Sequence, residues 1–220
     1  MKSLSGIRRL GIVGGTFNPI HVGHLRSAEE VSEAFDLERV IFVVSAVPPH
    51  KAPEGIIEAA HRYEMVRRAV RDNPGFDSSN LEIERKGASY TVDTLTYFRR
   101  RLGADADIFF VVGLDAFSEI GTWRDYRRLF DLAHFVVTDR PTPQTMDPEC
   151  FIPSEVSGLF SREAENRFKH GSGTRLFFHN ITGLDISATR IRGLVGEGKS
   201  IRYLVPPTVA RYIQQKGLYR

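Results

Sequence analysis

The chain has 220 residues, 41% of them hydrophobic and 26% charged, with a formal net charge of +3 at pH 7. That length supports one well-buried core, so a single domain over residues 1–220 is the expectation. The mild positive balance excludes the concentrated basic stripe of a nucleic-acid binder, although local clusters such as RYEMVRR and SATRIR can attract small anions.

Cys150 is the single cysteine, which excludes a disulfide framework and a cysteine-rich zinc site and fits a reducing cytoplasm. No stretch has the make-up of a signal peptide or the length of a membrane span, so a cytoplasmic protein with no membrane partner is expected.

In chain order, the apolar run LGIV predicts a first strand, HLRSAEEVSEAF a helix, RVIFVV a second strand and HRYEMVRRAV a second helix. YTVDTLTYFRRRL then reads as a helix, DIFFVVG as a strand, WRDYRRLFDLA as a helix, and HFVVT and TRLFFH as strands. Runs such as VIFVV do not alternate, so both faces of those strands should be buried, as in a parallel sheet covered by helices. The expected fold class is therefore α/β, a Rossmann-like parallel sheet flanked by helices with right-handed crossovers. Ligands of such sheets bind beyond the carboxyl ends of the strands, where the strand order reverses. RPTPQTMDPECFIPSE holds four of the eleven prolines and reads as an irregular excursion: a lid, a surface loop or a short linker. Residues 185–220 read as a small C-terminal helical part, two short helices separated by glycines and a proline pair.

Between the first strand and the first helix stands GGTFNPIHVGH, residues 14–24. Gly14, Gly15 and Thr16 suit a turn that brings backbone N–H groups up to a phosphate, with a helix N-terminus behind it. The spacing is neither GxGxxG nor GxxxxGK[ST], so neither common nucleotide fingerprint applies. His21 and His24 leave three readings open. A metal site lacks the i, i+4 spacing of zincin histidines and a completing cysteine or carboxylate. A surface turn with capping histidines needs no further chemistry. In a phosphate site, both rings would donate to oxygens and stabilise charge that grows in a transition state.

GGTFNPIHVGHL resembles the first signature of the HxGH nucleotidyltransferase superfamily. The chain as a whole resembles the bacterial nicotinate-nucleotide adenylyltransferase family, from Leu10 to the C-terminal GLYR. VPPHK, GASYTVDTL, VVGLDAF, Trp123 with a tyrosine-bearing helix after it, DRP and ISATRIR follow in that family's order. One departure is Asn18, where many members carry aspartate.

The resemblance implies a nucleotidyltransferase-type fold and an ATP site made of Gly14, Gly15, Thr16, Phe17, His21, His24, Gly113, Asp115, Ser187, Thr189 and Arg192. In it, Ser187, Thr189 and Arg192 would hold the β- and γ-phosphates, and Gly113 and Asp115 would face the ribose. An acidic side chain suits ribose hydroxyls. Read on its own residues, ISATRIR opens a helix with Ser187 as a plausible N-cap, a second start of the kind that binds anions. The mononucleotide site would comprise His50, Lys51, Ser89, Thr91, Trp123 and Arg140. There Trp123 would stack on the pyridine ring, and backbone N–H groups after Ser89 and beside Trp123 would meet the carboxylate.

The implied reaction is adenylyl transfer from ATP to nicotinate mononucleotide, with His21 and His24 as the catalytic pair. Mg²⁺ is expected to arrive with the triphosphate and keep several of its waters, so no protein carboxylate is assigned as a ligand. ATP and the mononucleotide are the expected partners, and self-association is left open. Transfer to another acceptor, nicotinamide mononucleotide or phosphopantetheine, and a non-catalytic nucleotide sensor are the alternatives.

Overall fold

The computed structural model describes residues 3–47, 55–139 and 147–220. Strand β1 (Arg9–Gly15) leads through the histidine loop into helix α1 (Val22–Ala34), and the chain returns as β2 (Arg39–Val44). Val40 to Val44 are all buried, which fits an apolar run without alternation. Helix α2 (Ala59–Val70) buries Arg62, Met65, Val66 and Val70, a stripe at helical spacing, and is followed by β3 (Phe76–Ser79). Helices α3 (Leu81–Arg85) and α4 (Thr91–Leu102) precede β4 (Asp107–Gly113). Then come α5 (Leu114–Phe117), α6 (Tyr126–Leu132) and β5 (His134–Asp139).

Among the described residues the sheet has eight strands in the order β3-β2-β1-β4-β5-β8-β7-β6. The first six in that order are parallel neighbours. At the far edge, β6 (Phe160–Ala164) and β7 (Arg167–His170) form an antiparallel hairpin on β8 (Arg175–Asn180). The chain runs outward from β1 through β2 to β3, then crosses back to place β4 on the other side of β1. That reversal leaves a crevice beyond the carboxyl ends of β1 and β4.

The central strands β1, β2, β4 and β5 each feed two core layers. Ile12, Ile41, Phe110 and Phe135 pack with Leu95 and Phe98 of α4 and Phe130 of α6. Phe42, Phe109 and Val136 pack on the opposite face with Val31 of α1, Met65 of α2, and Ile191 and Ile213 of the C-terminal helices. Those two helices are α8 (Ala188–Gly196) and α9 (Pro207–Lys216), as the sequence predicts. Proline at the first turn of α9 and left-handed Gly217 just past its end set its limits.

From Asp147 onward the proline-rich excursion is more ordered than its composition suggests. Its described part forms a 3₁₀ turn over Pro148–Phe151 and the short helix α7 (Ser154–Ser157). Ile152 and Val156 anchor that stretch in the core. Among the described residues no helix is long and apolar enough to cross a membrane.

Candidate active site

The loop after β1 is shaped by one glycine and one aromatic ring. Phe17 adopts a left-handed φ of 47° and folds its ring back over Gly15. A Cβ at position 15 would stand 2.8 Å from that ring, so glycine is required there. The ring itself is buried against Phe42 and meets His24 edge-on, at 5.2 Å between centroids. Phe17 is thus a wall behind His24, and what it can offer a nucleotide is backbone.

His21 is the N-cap of α1 and His24 its third residue. Their rings stack with centroids 3.6 Å apart and planes 25° from parallel. His24 Nδ1 accepts the backbone N–H of His21 at 3.2 Å. A nitrogen that accepts carries no proton, so the proton of a neutral His24 ring lies on Nε2, which becomes a donor. Gly23 makes the stacking feasible, because a Cβ there would come within 3.1 Å of His21 Nδ1. The pair therefore sits at a helix N-terminus, where the backbone dipole favours negative charge.

Asn18 ties this loop to the C-terminal helices. Its Nδ2 donates to Gly55 O at 2.8 Å, and its Oδ1 accepts the Tyr219 hydroxyl at 2.9 Å and the Ile57 N–H at 3.4 Å. An aspartate could not make the first of these bonds, which accounts for the amide at this position. Burial pushes the Tyr219 hydroxyl well above its usual titration range, so it remains a donor. Arg192 Nη1 donates to Asn18 O at 2.9 Å, and Arg192 Nη2 to Thr189 Oγ1 at 3.3 Å. Ser187 caps α8 by accepting Arg190 N–H at 3.2 Å, as the sequence predicts. The second helix start is thereby brought to the histidine loop from 174 residues away in sequence.

Gly113 ends β4 and Asp115 is the second residue of α5, both exposed. Nothing lies within 4 Å of a Cβ built on Gly113, so this strand end opens onto space rather than protein. Ser89 lies across the crevice and is bound to the segment after β2. Its N–H donates to Val47 O at 3.1 Å, and its Oγ accepts Ala46 N–H at 2.8 Å. The Trp123 ring packs edge-on against Phe110, and the Trp123 backbone N–H donates to Ile120 O at 2.9 Å. Arg124, beside it, lies over the Tyr90 ring at 4.7 Å.

The backbone N–H groups of Ser89 and Trp123 themselves are engaged within the protein. Thr91 and Val92, the first two residues of α4, have no helical carbonyl a turn earlier for their amides to bond.

His50, Lys51 and Arg140 lie outside the described residues. Among the described residues no three His, Cys, Asp or Glu side chains gather as a metal site. Sequence reasoning missed Arg62, a fully buried guanidinium beneath the loop. Its place on the apolar stripe with Met65 and Val66 was the available signal. Glu82 was missed as well. It is buried beside Thr94, whose hydroxyl donates to it at 2.6 Å, and desolvation pushes its carboxyl above the usual range.

A doubly covered parallel sheet with an HxGH loop at its reversal defines a nucleotidyltransferase of the cytidylyltransferase-like class, and residues 12–194 match the model of that family. The chain is 45% identical to the probable nicotinate-nucleotide adenylyltransferase of Trichlorobacter lovleyi, over 96% of this chain and 99% of the relative. It is 46% identical to the protein of the same name from Geobacter metallireducens, over 96% and 98%. The chain belongs to this nicotinate-nucleotide adenylyltransferase family. In fold it resembles Plasmodium falciparum nicotinic acid mononucleotide adenylyltransferase, solved with NaAD, with a TM-score of 0.73 at 18% identity over 96% of this chain and 97% of that one.

Proposed function

We propose that this protein transfers the adenylyl group of ATP to nicotinate mononucleotide, producing nicotinate adenine dinucleotide and pyrophosphate in NAD biosynthesis. The observation that carries the reading is the stacked His21–His24 pair at the N-terminus of α1, with Arg192 bound to the same loop. A phosphate oxygen of the mononucleotide attacks the α-phosphorus of ATP in line. The bond from that phosphorus to the β-phosphate oxygen breaks, and pyrophosphate leaves with the electron pair. No protein nucleophile is needed, so catalysis consists of positioning and charge stabilisation.

Gly14, Gly15, Thr16 and the backbone of Phe17 line the approach to the α-phosphate. His21 orients it, and His24 Nε2–H donates to the oxygens as the phosphorus becomes five-coordinate. Ser187, Thr189 and Arg192 receive the β- and γ-phosphates at the start of α8. Mg²⁺ belongs to the ATP substrate and neutralises part of the triphosphate charge. Gly113 leaves room for the ribose, and Asp115 accepts from its hydroxyls.

The mononucleotide lies across the crevice, its ring on Trp123 and its carboxylate on the amides of Thr91 and Val92, beside Ser89. His50, Lys51 and Arg140 complete this pocket. A cytoplasmic setting suits the exposed thiol of Cys150.

Pyrophosphate release with nicotinate mononucleotide, nicotinamide mononucleotide and phosphopantetheine as acceptors tests the reading. Donors facing a carboxylate leave one N–H unmatched when the amide binds, a penalty of about 1–3 kcal/mol, or roughly fivefold to somewhat over a hundredfold in kcat/KM. Equal rates with acid and amide would remove the donor pocket. Activity with phosphopantetheine alone would replace the acceptor, and no release with any of the three would favour a nucleotide sensor.

A further inference from the structure

Arg62 has the environment of a device rather than of a surface charge. It is 1% exposed, and among the described residues no carboxylate forms an ion pair with it. Its guanidinium is instead filled by backbone carbonyls. Nη1 donates to Thr16 O at 2.8 Å and to Ser45 O at 2.6 Å, Nη2 to Ala46 O at 2.9 Å, and Nε to Ile57 O at 3.0 Å. Burying an arginine without a counter-charge is costly, so carbonyl contacts of this number indicate a specific constraint.

The four carbonyls belong to three separate stretches. Thr16 lies in the histidine loop after β1. Ser45 and Ala46 follow β2, and Ile57 precedes α2. Two of these stretches, the histidine loop and the segment before α2, are joined a second time, because Asn18 bonds Gly55 O and Ile57 N–H. From Ala46 the path continues, since its N–H donates to Ser89 Oγ. A bonded route thus runs from the loop that would hold the α-phosphate to the segment that would hold the mononucleotide.

We infer that Arg62 is a positioning residue that sets the distance between the two half-sites, so that attacking oxygen and α-phosphorus meet in line. The inference rests on the adenylyl-transfer reading above. It touches neither substrate, and only a planar fork with five N–H donors can span all three stretches. Lysine keeps the charge but offers one nitrogen. The role therefore shows as a kcat effect, with each substrate still binding to its own half of the crevice. A misplacement near 1 Å between reacting groups lowers the rate by about a hundredfold.

The test uses Arg62→Lys and Arg62→Ala in the full chain, with pyrophosphate release, calorimetric binding of a non-hydrolysable ATP analogue and of the mononucleotide, and backbone hydrogen exchange. Expected is a kcat loss of about a hundredfold in both variants, each Kd within about threefold of wild type. Added guanidinium should restore part of the rate of Arg62→Ala. Exchange should quicken by about tenfold or more at Thr16–Phe17 and at Ser45–Val47 alike.

Wild-type kcat in Arg62→Lys, or unchanged exchange in either segment, would overturn the inference. A raised KM for one substrate with kcat preserved would overturn it too, by confining Arg62 to one pocket. So would global unfolding of both variants, which would make it a residue of the core. The exchange arm does not depend on the acceptor. If wild type fails to use nicotinate mononucleotide while exchange still responds at both segments, the functional reading fails and the brace stands.

Discussion

Gly23→Ala separates stability from catalysis at a single methyl group. Gly23 is the second residue of α1 and has no left-handed backbone, so alanine fits its conformation. Replacing glycine in such a place raises stability by about 0.4–1 kcal/mol. For a chain of this size that corresponds to roughly 1–4 °C in Tm. The new Cβ, however, would stand 3.1 Å from His21 Nδ1 and 3.2 Å from its Cε1, where ordinary contact begins at 3.4 Å. The His21 ring must give way by a few tenths of an ångström. It is stacked on His24 at 3.6 Å, so the displacement passes to the second histidine. Scaled from a hundredfold loss per ångström of misplacement, kcat should fall by about three- to tenfold. Thermal melting and steady-state pyrophosphate release, run on the same preparations, read the two effects separately. A raised Tm with unchanged kcat would show that the His21 ring position carries no catalytic weight. A joint fall of Tm and kcat would show that the ring does not yield and that the helix start is strained instead.

His24→Ala should lower kcat by about 2.7–4 kcal/mol in barrier, a hundred- to a thousandfold, while calorimetry finds affinity for an ATP analogue nearly unchanged. A raised KM for ATP at normal kcat would make His24 a ground-state contact. Arg192→Ala should weaken ATP by roughly tenfold or more, as a lost charge-assisted bond does, and leave mononucleotide binding within about threefold. Loss of mononucleotide affinity alone would assign Arg192 to the other pocket. Glu82→Gln should raise Tm at neutral pH. Burial holds the folded carboxyl above its ordinary value of 4.5, so the folded state binds this proton more tightly than the unfolded one. The stability it contributes is therefore present at low pH and declines as pH rises through that raised value. Glutamine keeps an oxygen for Thr94 and does not ionise, so variant and wild-type Tm curves should diverge upward from about pH 4.5. Parallel curves from pH 4 to 8 would refute this, at about the precision of the reference values.

The chemistry of this protein was legible where it is local. The apolar runs of β1, β2, β4 and β5 announce buried parallel strands, since both faces of each must be covered, whereas that of β8 announces a strand buried only at Leu176. The histidine loop and the Ser187 cap are readable for the same reason, as spacing and capping act over a few residues. Strand β3 was not readable, because Phe76–Ser79 is largely polar and is a strand only by pairing with β2. The hairpin of β6 and β7 carries exposed charged residues at a sheet edge, where no apolar alternation is demanded.

What the tertiary structure alone decided is which loops meet. In sequence, Arg62 stands among the charges of HRYEMVRR like the exposed Arg67, and its spacing to Met65 and Val66 signals only that it faces the core, not what it bonds. In the fold it takes carbonyls from residues as distant as Thr16, 46 positions away. Likewise Arg192 and Tyr219 reach Asn18 only because the C-terminal helices pack against the same sheet face as α1. Side-chain patterns record the period and burial of one element at a time. They do not record the strand order, and it is the reversal at β1 that gathers these remote groups at one end of the sheet.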